Sequence, residues 1–272
     1  MLLGAVQFFP KPGEYQRNFE KILEYADEGA KRGVKLLVFP ELTISGYTLN
    51  ERILREGWDF TRKILEELIR ISRTKDMALV FGTPRLVSGK LRNSVAIVKK
   101  KREILFYDKT HLFRKEKDIF EAGSDFLVFK YEGVLFGVSV CYETAFPEVS
   151  RVLALRGARI ILSLFAFGRE RWRIYDVATK SRAVENGAFL VSASTCGRGF
   201  MDFVCHSRIV HPSGEIMAEI EFGEGLIYSD VNPEETYKYR YLEVEDSHAY
   251  FSNRKPWMYT DVVSYPEEGE RR

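Results

Sequence analysis

Gly133-Val134-Leu135-Phe136-Gly137-Val138-Ser139-Val140-Cys141-Tyr142-Glu143-Thr144-Ala145-Phe146-Pro147-Glu148-Val149-Ser150-Arg151 reads as a buried strand that runs straight into a helix. Val134 to Val140 is a short apolar, β-branched run bounded by Gly133, and Pro147 stands where a first helical turn tolerates a residue without an N–H. Cys141 falls between the two. A thiol there ends a rigid strand and faces the free N–H groups of the next turn, near the positive end of a helix. That setting favours thiolate over thiol. A buried structural cysteine is the competing interpretation, because free cysteines are among the most buried residues. Two other stretches bear on the choice. Lys35 to Glu41 is an apolar strand ending in an acid, and Arg102 to His111 is a strand ending in Lys109. A Cys, a Glu and a Lys, each just past the carboxyl end of a β-run, can converge on one rim of a sheet, where α/β folds place their ligands.

Phe39-Pro40-Glu41-Leu42, Tyr107-Asp108-Lys109-Thr110-His111, and Cys141-Tyr142-Glu143 with Phe146-Pro147-Glu148 resemble the signature segments of the nitrilase superfamily. The similarity extends to Gly4-Ala5-Val6-Gln7, Asn93-Ser94, Ser181 to Gly187, Ser207 to Gly214 and Arg254 to Tyr259, in the expected order. It implies hydrolysis of a non-peptide carbon–nitrogen bond, without cofactor or metal, on a small linear amide or N-carbamoyl compound or on a nitrile. It also implies an α/β fold of the four-layer α-β-β-α type with the site at one end. A second glutamate shortly after the lysine belongs to the pattern. Glu116 matches it better than Glu121. Departures are Glu143, where Asp is commoner, and Ala145, where Arg is; these leave the chemistry intact but weaken any substrate assignment taken from the best-known branches.

The residue types fit that chemistry. A thiol titrates near pH 8.5 and is mostly unreactive at neutrality, so Glu41 as base and Lys109 as cation would complete Cys141. Lys109 and the backbone N–H of Tyr142 are the expected oxyanion donors. Taken singly, a Glu after Phe-Pro or a Lys after Tyr-Asp is an ordinary solvated strand-end residue; their joint occurrence carries the expectation. Phe165, Ala166, Phe167 and Trp172 follow a strand on the same rim and are candidate pocket walls, with core or subunit-contact roles equally open. Two rivals remain: a Cys–His hydrolase using His111, His206, His211 or His248, and a catalytically silent binding protein of the same fold.

Strands are predicted over Leu2 to Phe8, Lys35 to Phe39, Met77 to Gly82, Ser94 to Val98, Ile104 to Tyr107, Val134 to Val140, Arg159 to Phe165, Ala188 to Ala193, Ser207 to His211, Glu215 to Glu219 and Gly225 to Asp230. Helices are predicted near Glu14 to Lys31, with Gly33 as a stop, near Trp58 to Arg73, from Pro147 to Arg156 and from Arg171 to Glu185. Helices interleaved with strands give two sheets or one large sheet covered by helices.

With 41 basic against 39 acidic residues among 272, the net charge is +2, too small for a field that recruits nucleic acid or an anionic membrane. The run Lys99-Lys100-Lys101-Arg102 fits a solvated hairpin turn. The opening residues read as a first strand and not a signal peptide, and no apolar run reaches membrane-span length. Three cysteines argue against a disulfide framework and for a reducing, cytoplasmic setting; a Cys196–Cys205 pair is conceivable, and Cys205 beside His206 is a remote zinc alternative. No interior linker appears, so one domain over 1–272 is expected, ending in a solvated tail from Pro266 to Arg272. The family resemblance and the aromatics of Arg171 to Tyr175 and Tyr237 to Tyr259 predict a homodimer or larger even assembly, with the segment from about 232 onward in subunit contact.

Overall fold

The computed structural model describes residues 1–199 and 201–264, so the expected tail from Pro266 lies outside the described residues. The chain forms two six-stranded mixed sheets. The first runs β12-β1-β2-β3-β4-β5, from β1 (Leu2–Gln7), β2 (Leu36–Val38), β3 (Ala78–Val87), β4 (Lys90–Lys99), β5 (Glu103–Asp108) and β12 (Gly225–Asp230). The second runs β11-β10-β9-β8-β7-β6, from β6 (Val128–Tyr131), β7 (Val134–Val140), β8 (Ile160–Phe165), β9 (Phe189–Ser194), β10 (Ser207–Val210) and β11 (Ile216–Ile220).

Period-two patterning decides which face goes where. Leu3, Ala5, Leu36, Val38, Val80, Phe136, Val138, Val140, Leu162 and Leu164 point between the sheets and form one buried cluster. The alternate residues, Leu37, Leu79 and Phe81, face α1 (Tyr15–Arg32) and α2 (Glu51–Thr74). Ile161 meets Val149 and Leu153 of α3 (Pro147–Leu155) in the same way, and α4 (Trp172–Val184) covers the rest of that face. The result is the α-β-β-α sandwich of the nitrilase type.

Gly33 ends α1 in the left-handed conformation at φ 82°, its N–H donating to Ala30, as a C-terminal glycine does. Three features differ from the sequence-based expectation. α2 begins two turns before Trp58 because the side chain of Asn50 accepts from the Ile53 N–H at 3.3 Å and caps it; the polar residues Glu51, Arg52, Arg55 and Glu56 hide that start from a search for apolar periodicity. β3 and β4 form one long hairpin closed at Ser88-Gly89, both at positive φ, and β6 is an additional edge strand. Finally, Cys196 and Cys205 are disulfide-bonded to each other, which also removes the zinc alternative at Cys205. The odd cysteine count arose from one bridge plus the free Cys141. Since such bonds persist mainly in oxidising settings or in hyperthermophile cytoplasm, counting cysteines does not fix the compartment. Among the described residues, no helix is long and apolar enough to cross a membrane.

Candidate active site

β5 runs in the same direction as β2, because β3 is parallel to β2 and the β3-β4 and β4-β5 pairs are both antiparallel. Their carboxyl ends therefore share one edge of the first sheet. Glu41 lies three residues past β2 and Lys109 directly follows β5. In the second sheet β7 and β8 are parallel, and Cys141 and Ala166 directly follow them. The two sheet edges face one another across the sandwich. Close backbone approach builds both acidic and basic corners: a Cβ on Gly82 would collide with the backbone at Glu41–Leu42, and one on Gly123 with the carbonyl of Asp108. Glycine is the residue that fits at each.

Lys109 Nζ donates to Glu41 Oε1 at 2.8 Å and lies 2.9 Å from Glu116 Oε2, with all three side chains at most 1% exposed. Asn93 Nδ2 donates to Glu41 Oε1 at 2.7 Å and the Ala166 N–H donates to Glu41 Oε2 at 3.0 Å. The Tyr47 hydroxyl donates to Glu116 Oε1 at 2.7 Å, and the Phe113 N–H donates to its other oxygen at 2.8 Å. Glu121, the competing second glutamate, is half exposed and pairs with Arg92 instead.

Burial dominates the protonation of these groups. It pushes the Glu41 carboxyl above its ordinary range, with Lys109 pulling the other way and Glu116 adding to the rise. Burial opposes the Lys109 ammonium, but Glu41 and Glu116 outweigh it and hold the group charged well past neutrality. The Cys141 thiol is pushed well above its ordinary value, first by burial and then by Glu41, against the pull of Lys109 and the Ala166 N–H. This corrects the expectation of a preformed thiolate. Burial and the neighbouring carboxylates thus favour the thiol over the thiolate. Cys141 itself sits at φ 51°, a left-handed conformation that costs a non-glycine residue about 1 kcal/mol and marks a strained turn.

Glu143 was singled out from sequence only as a departure. In the structure it is fully buried and binds two segments at once. Its Oε2 accepts from the Val140 N–H at 2.7 Å; its Oε1 accepts from Tyr107 Oη at 2.6 Å, the Thr110 N–H at 2.6 Å and Thr110 Oγ1 at 2.7 Å. It thereby ties the turn carrying Cys141 to the strand end carrying Lys109. Asn93 and Tyr47 were likewise given no role. The sequence signal for all three is weak: a polar residue within a motif or strand says nothing of the partner it will face.

Cys141 opens into a cavity of about 180 Å³ with apolar walls from Tyr47, Leu49, Phe113, Ala166 and Met201. Larger hollows lie beside Arg151 and beside the Lys99–Lys101 turn, but neither contains a buried nucleophile. Of the expected wall residues, Ala166 lines the cavity. Phe165 and Phe167 turn into the core between the sheets, and Trp172 stacks on Tyr175 and His206, away from the opening. Tyr142 packs its ring on Phe113 and Phe146, while its N–H belongs to the first turn of a 3-10 segment, Cys141–Ala145, where such groups lack an intrahelical partner. None of the four histidines lines the cavity: His111 is stacked on Phe146, His206 faces Glu219 and His211 faces Glu235.

A buried thiol, a buried carboxyl group and a buried ammonium beside a small, partly open cavity are the groups that cysteine-dependent acyl transfer requires. The carbon-nitrogen hydrolase family model matches residues 2–241, and the chain belongs to that family, the nitrilase superfamily. A nitrilase of Pyrococcus abyssi is 31% identical, covering 94% of this chain and 98% of its own length. An (R)-stereoselective amidase of a Pseudomonas species is 29% identical over 80% of each chain. Among solved structures, a nitrilase-superfamily amidase from Nesterenkonia sp. AN1 superposes with a TM-score of 0.84 at 26% identity, over 96% of this chain and 97% of that one. That amidase has also been solved with an acetamide moiety added covalently to its active-site cysteine. The present protein is therefore a carbon–nitrogen hydrolase by family.

Proposed function

We propose that the chain hydrolyses a small linear amide or N-carbamoyl compound through a thioester on Cys141, with Glu41 and Lys109 completing the triad and Glu116 supporting the lysine. The observation that carries this is Lys109 Nζ held between two buried carboxylates beside the buried thiol. Glu41 accepts the Cys141 proton as sulfur attacks the carbonyl carbon, so the thiolate exists only as it bonds. Negative charge then develops on the substrate oxygen, within reach of the Lys109 ammonium and the Tyr142 N–H. The C–N bond breaks as Glu41 returns the proton to nitrogen, releasing ammonia. Glu41 next takes a proton from water, whose oxygen attacks the thioester, and the acid departs as the proton returns to sulfur. We further infer that the protein works as a homodimer or larger even assembly. Ile174 and Val177 on α4 are 52% and 63% exposed, and Trp257 and Met258 in the C-terminal segment 73% and 66%, a density of apolar surface that subunit contact would cover.

The test is ammonia release from a panel of amides, carbamoyl compounds and nitriles, with intact-mass detection of the acyl adduct. Cys141→Ala should fold, release no ammonia and carry no adduct. Turnover by that variant would end the proposal, and turnover of nitriles alone would move it to the nitrilase branch.

A further inference from the structure

The two oxygens of the Glu41 carboxylate are held differently. A carboxylate oxygen has room for about two hydrogen-bond donors. Oε1 has both, Lys109 Nζ at 2.8 Å and Asn93 Nδ2 at 2.7 Å, whereas Oε2 has one among the described residues, the Ala166 N–H at 3.0 Å. That Ala166 N–H also acts on the Cys141 sulfur, and Ala166 and Cys141 line the same cavity. Oε2 is therefore the oxygen on the nucleophile's side, and it is the one with a lone pair open to a proton.

Asn93 makes that difference. It is 1% exposed, on β4, and its backbone carbonyl accepts from the Lys109 N–H at 2.8 Å. One residue thus fixes the cation's strand end through its main chain and the carboxylate through its side chain. Charge sets the turn of its amide, since Oδ1 in place of Nδ2 would face a carboxylate. In that orientation Oδ1 is buried with no protein partner among the described residues, which an apolar side chain would avoid. Such a departure from full pairing belongs to a residue held for its donor. The terminal torsion of a glutamate is soft. Without Asn93, Oε1 regains an open lone pair, and the carboxyl group can take its proton on the oxygen beside Lys109, away from sulfur.

We propose that Asn93 is the positioning residue that keeps Oε2 of Glu41 for the transferred proton: it completes the shell of Oε1, so the proton leaving Cys141 Sγ goes to Oε2 and passes from there to the departing nitrogen. This rests on the hydrolase reading above and assigns a residue that acts through Glu41 without touching substrate. The same donor stabilises the carboxylate over the carboxylic acid. Burial raises the Glu41 pKa most, and Lys109 and then Asn93 draw it down. Loss of Asn93 removes one downward pull, so Glu41 stays protonated to higher pH.

The experiment follows the pH dependence of turnover in wild type, Asn93→Ala and the isosteric Asn93→Asp, with the compound hydrolysed fastest in the panel above. In parallel it follows alkylation of Cys141 by iodoacetamide, read by intact mass, which needs no turnover. In Asn93→Ala kcat should fall about tenfold or more, the scale of one hydrogen bond to a charged group, with KM little changed. The acidic limbs of kcat/KM and of alkylation should both move upward, by up to about one pH unit. Asn93→Asp keeps the volume but sets a second carboxyl group against Oε1, so it should be slower still and its limbs higher. Both variants should keep a cooperative thermal transition, because the backbone pairing of β4 is untouched. Unchanged rates in Asn93→Ala, a rise in KM with kcat intact, or slower turnover with both acidic limbs unmoved would overturn this inference and leave the hydrolase reading standing. No ammonia from any compound and no alkylation of Cys141 in wild type would overturn both.

Discussion

Lys109 and Lys100 each bridge two carboxylates. Lys109 Nζ lies 2.8 Å from Glu41 and 2.9 Å from Glu116; Lys100 Nζ lies 2.8 Å from Asp76 and 2.7 Å from Glu132. By distance alone they are the same object. The first cluster is 0–1% exposed, whereas the second is 26%, 55% and 39% exposed at the hairpin turn. Water and salt screen the outer cluster, and most such surface pairs contribute little. The inner cluster has no water to fall back on, so each charge depends on the other two, and its field falls undiminished on the thiol beside it. Contact geometry identifies a pair; burial tells what it does.

The sharpest way to break the comparison is to remove the inner cation. Lys109→Met should lower kcat and kcat/KM together by about two orders of magnitude or more, since a transition-state donor is worth roughly 3 kcal/mol. Lys109→Arg should fail nearly as badly, because a planar fork does not fit where a compact ammonium sits between two carboxylates. Stability should fall by about 3–5 kcal/mol in Lys109→Met, the cost of orphaning a buried partner, yet the sheet edge should still form because β5 buries the apolar area. The residual rate carries a further readout. Lys109 lowers the Glu41 pKa, so without it Glu41 holds its proton to higher pH, and the acidic limb of kcat/KM should move upward. Near-normal single-turnover acylation by Lys109→Met would mean that the oxyanion is held elsewhere.

An intermediate effect is expected at Glu143, which joins the two halves of the site without belonging to the cluster. In Glu143→Gln an amide N–H₂ must replace one carboxylate oxygen, and either Val140 or the Tyr107–Thr110 group loses its acceptor. The unsatisfied buried donor should cost about 1–3 kcal/mol in stability. The rate should fall about tenfold through kcat, with KM little changed, because small misplacements between nucleophile and cation raise the barrier. A KM effect with kcat intact would show that Glu143 shapes the cavity instead of the distance between strand ends.

These residues also show what a sequence can and cannot disclose. Glu41, Lys109 and Cys141 were visible because each ends a strand whose apolar run is legible, and strand direction sends such ends to a common edge. Glu116 was visible only through a resemblance, as its 3-10 segment has no periodicity. Glu143, Asn93 and Tyr47 were not assigned roles because their importance lies in partners 33, 52 and 69 residues away. The thiolate expectation failed for a related reason: the turn and the helix are local, while the burial and the second carboxylate that raise the Cys141 pKa are tertiary. The fold itself was legible through period two, except where polar residues begin α2 and where β6 forms an edge.

The smallest effect should come from the outer lysine, and it is informative for being small. Lys100→Met should leave kcat and KM unchanged and move the thermal midpoint by about 2 °C or less, because the charges it pairs are solvated and Lys35 still reaches Asp76 at 2.6 Å. Whatever difference remains should have a definite pH signature. Hydrogen bonds from Lys100 and Lys35 hold the folded Asp76 down to about 2, below its ordinary 3.8. A depressed carboxyl contributes stability above its unfolded value and loses it as pH falls through the folded one. The gap between wild type and Lys100→Met should therefore be constant from neutrality to about pH 4, close between about pH 4 and 2, and shrink at every pH when salt is raised. A gap insensitive to salt would mean that the outer cluster is shielded from water after all. The contrast with Lys109 would then have to rest on what each lysine faces rather than on solvent.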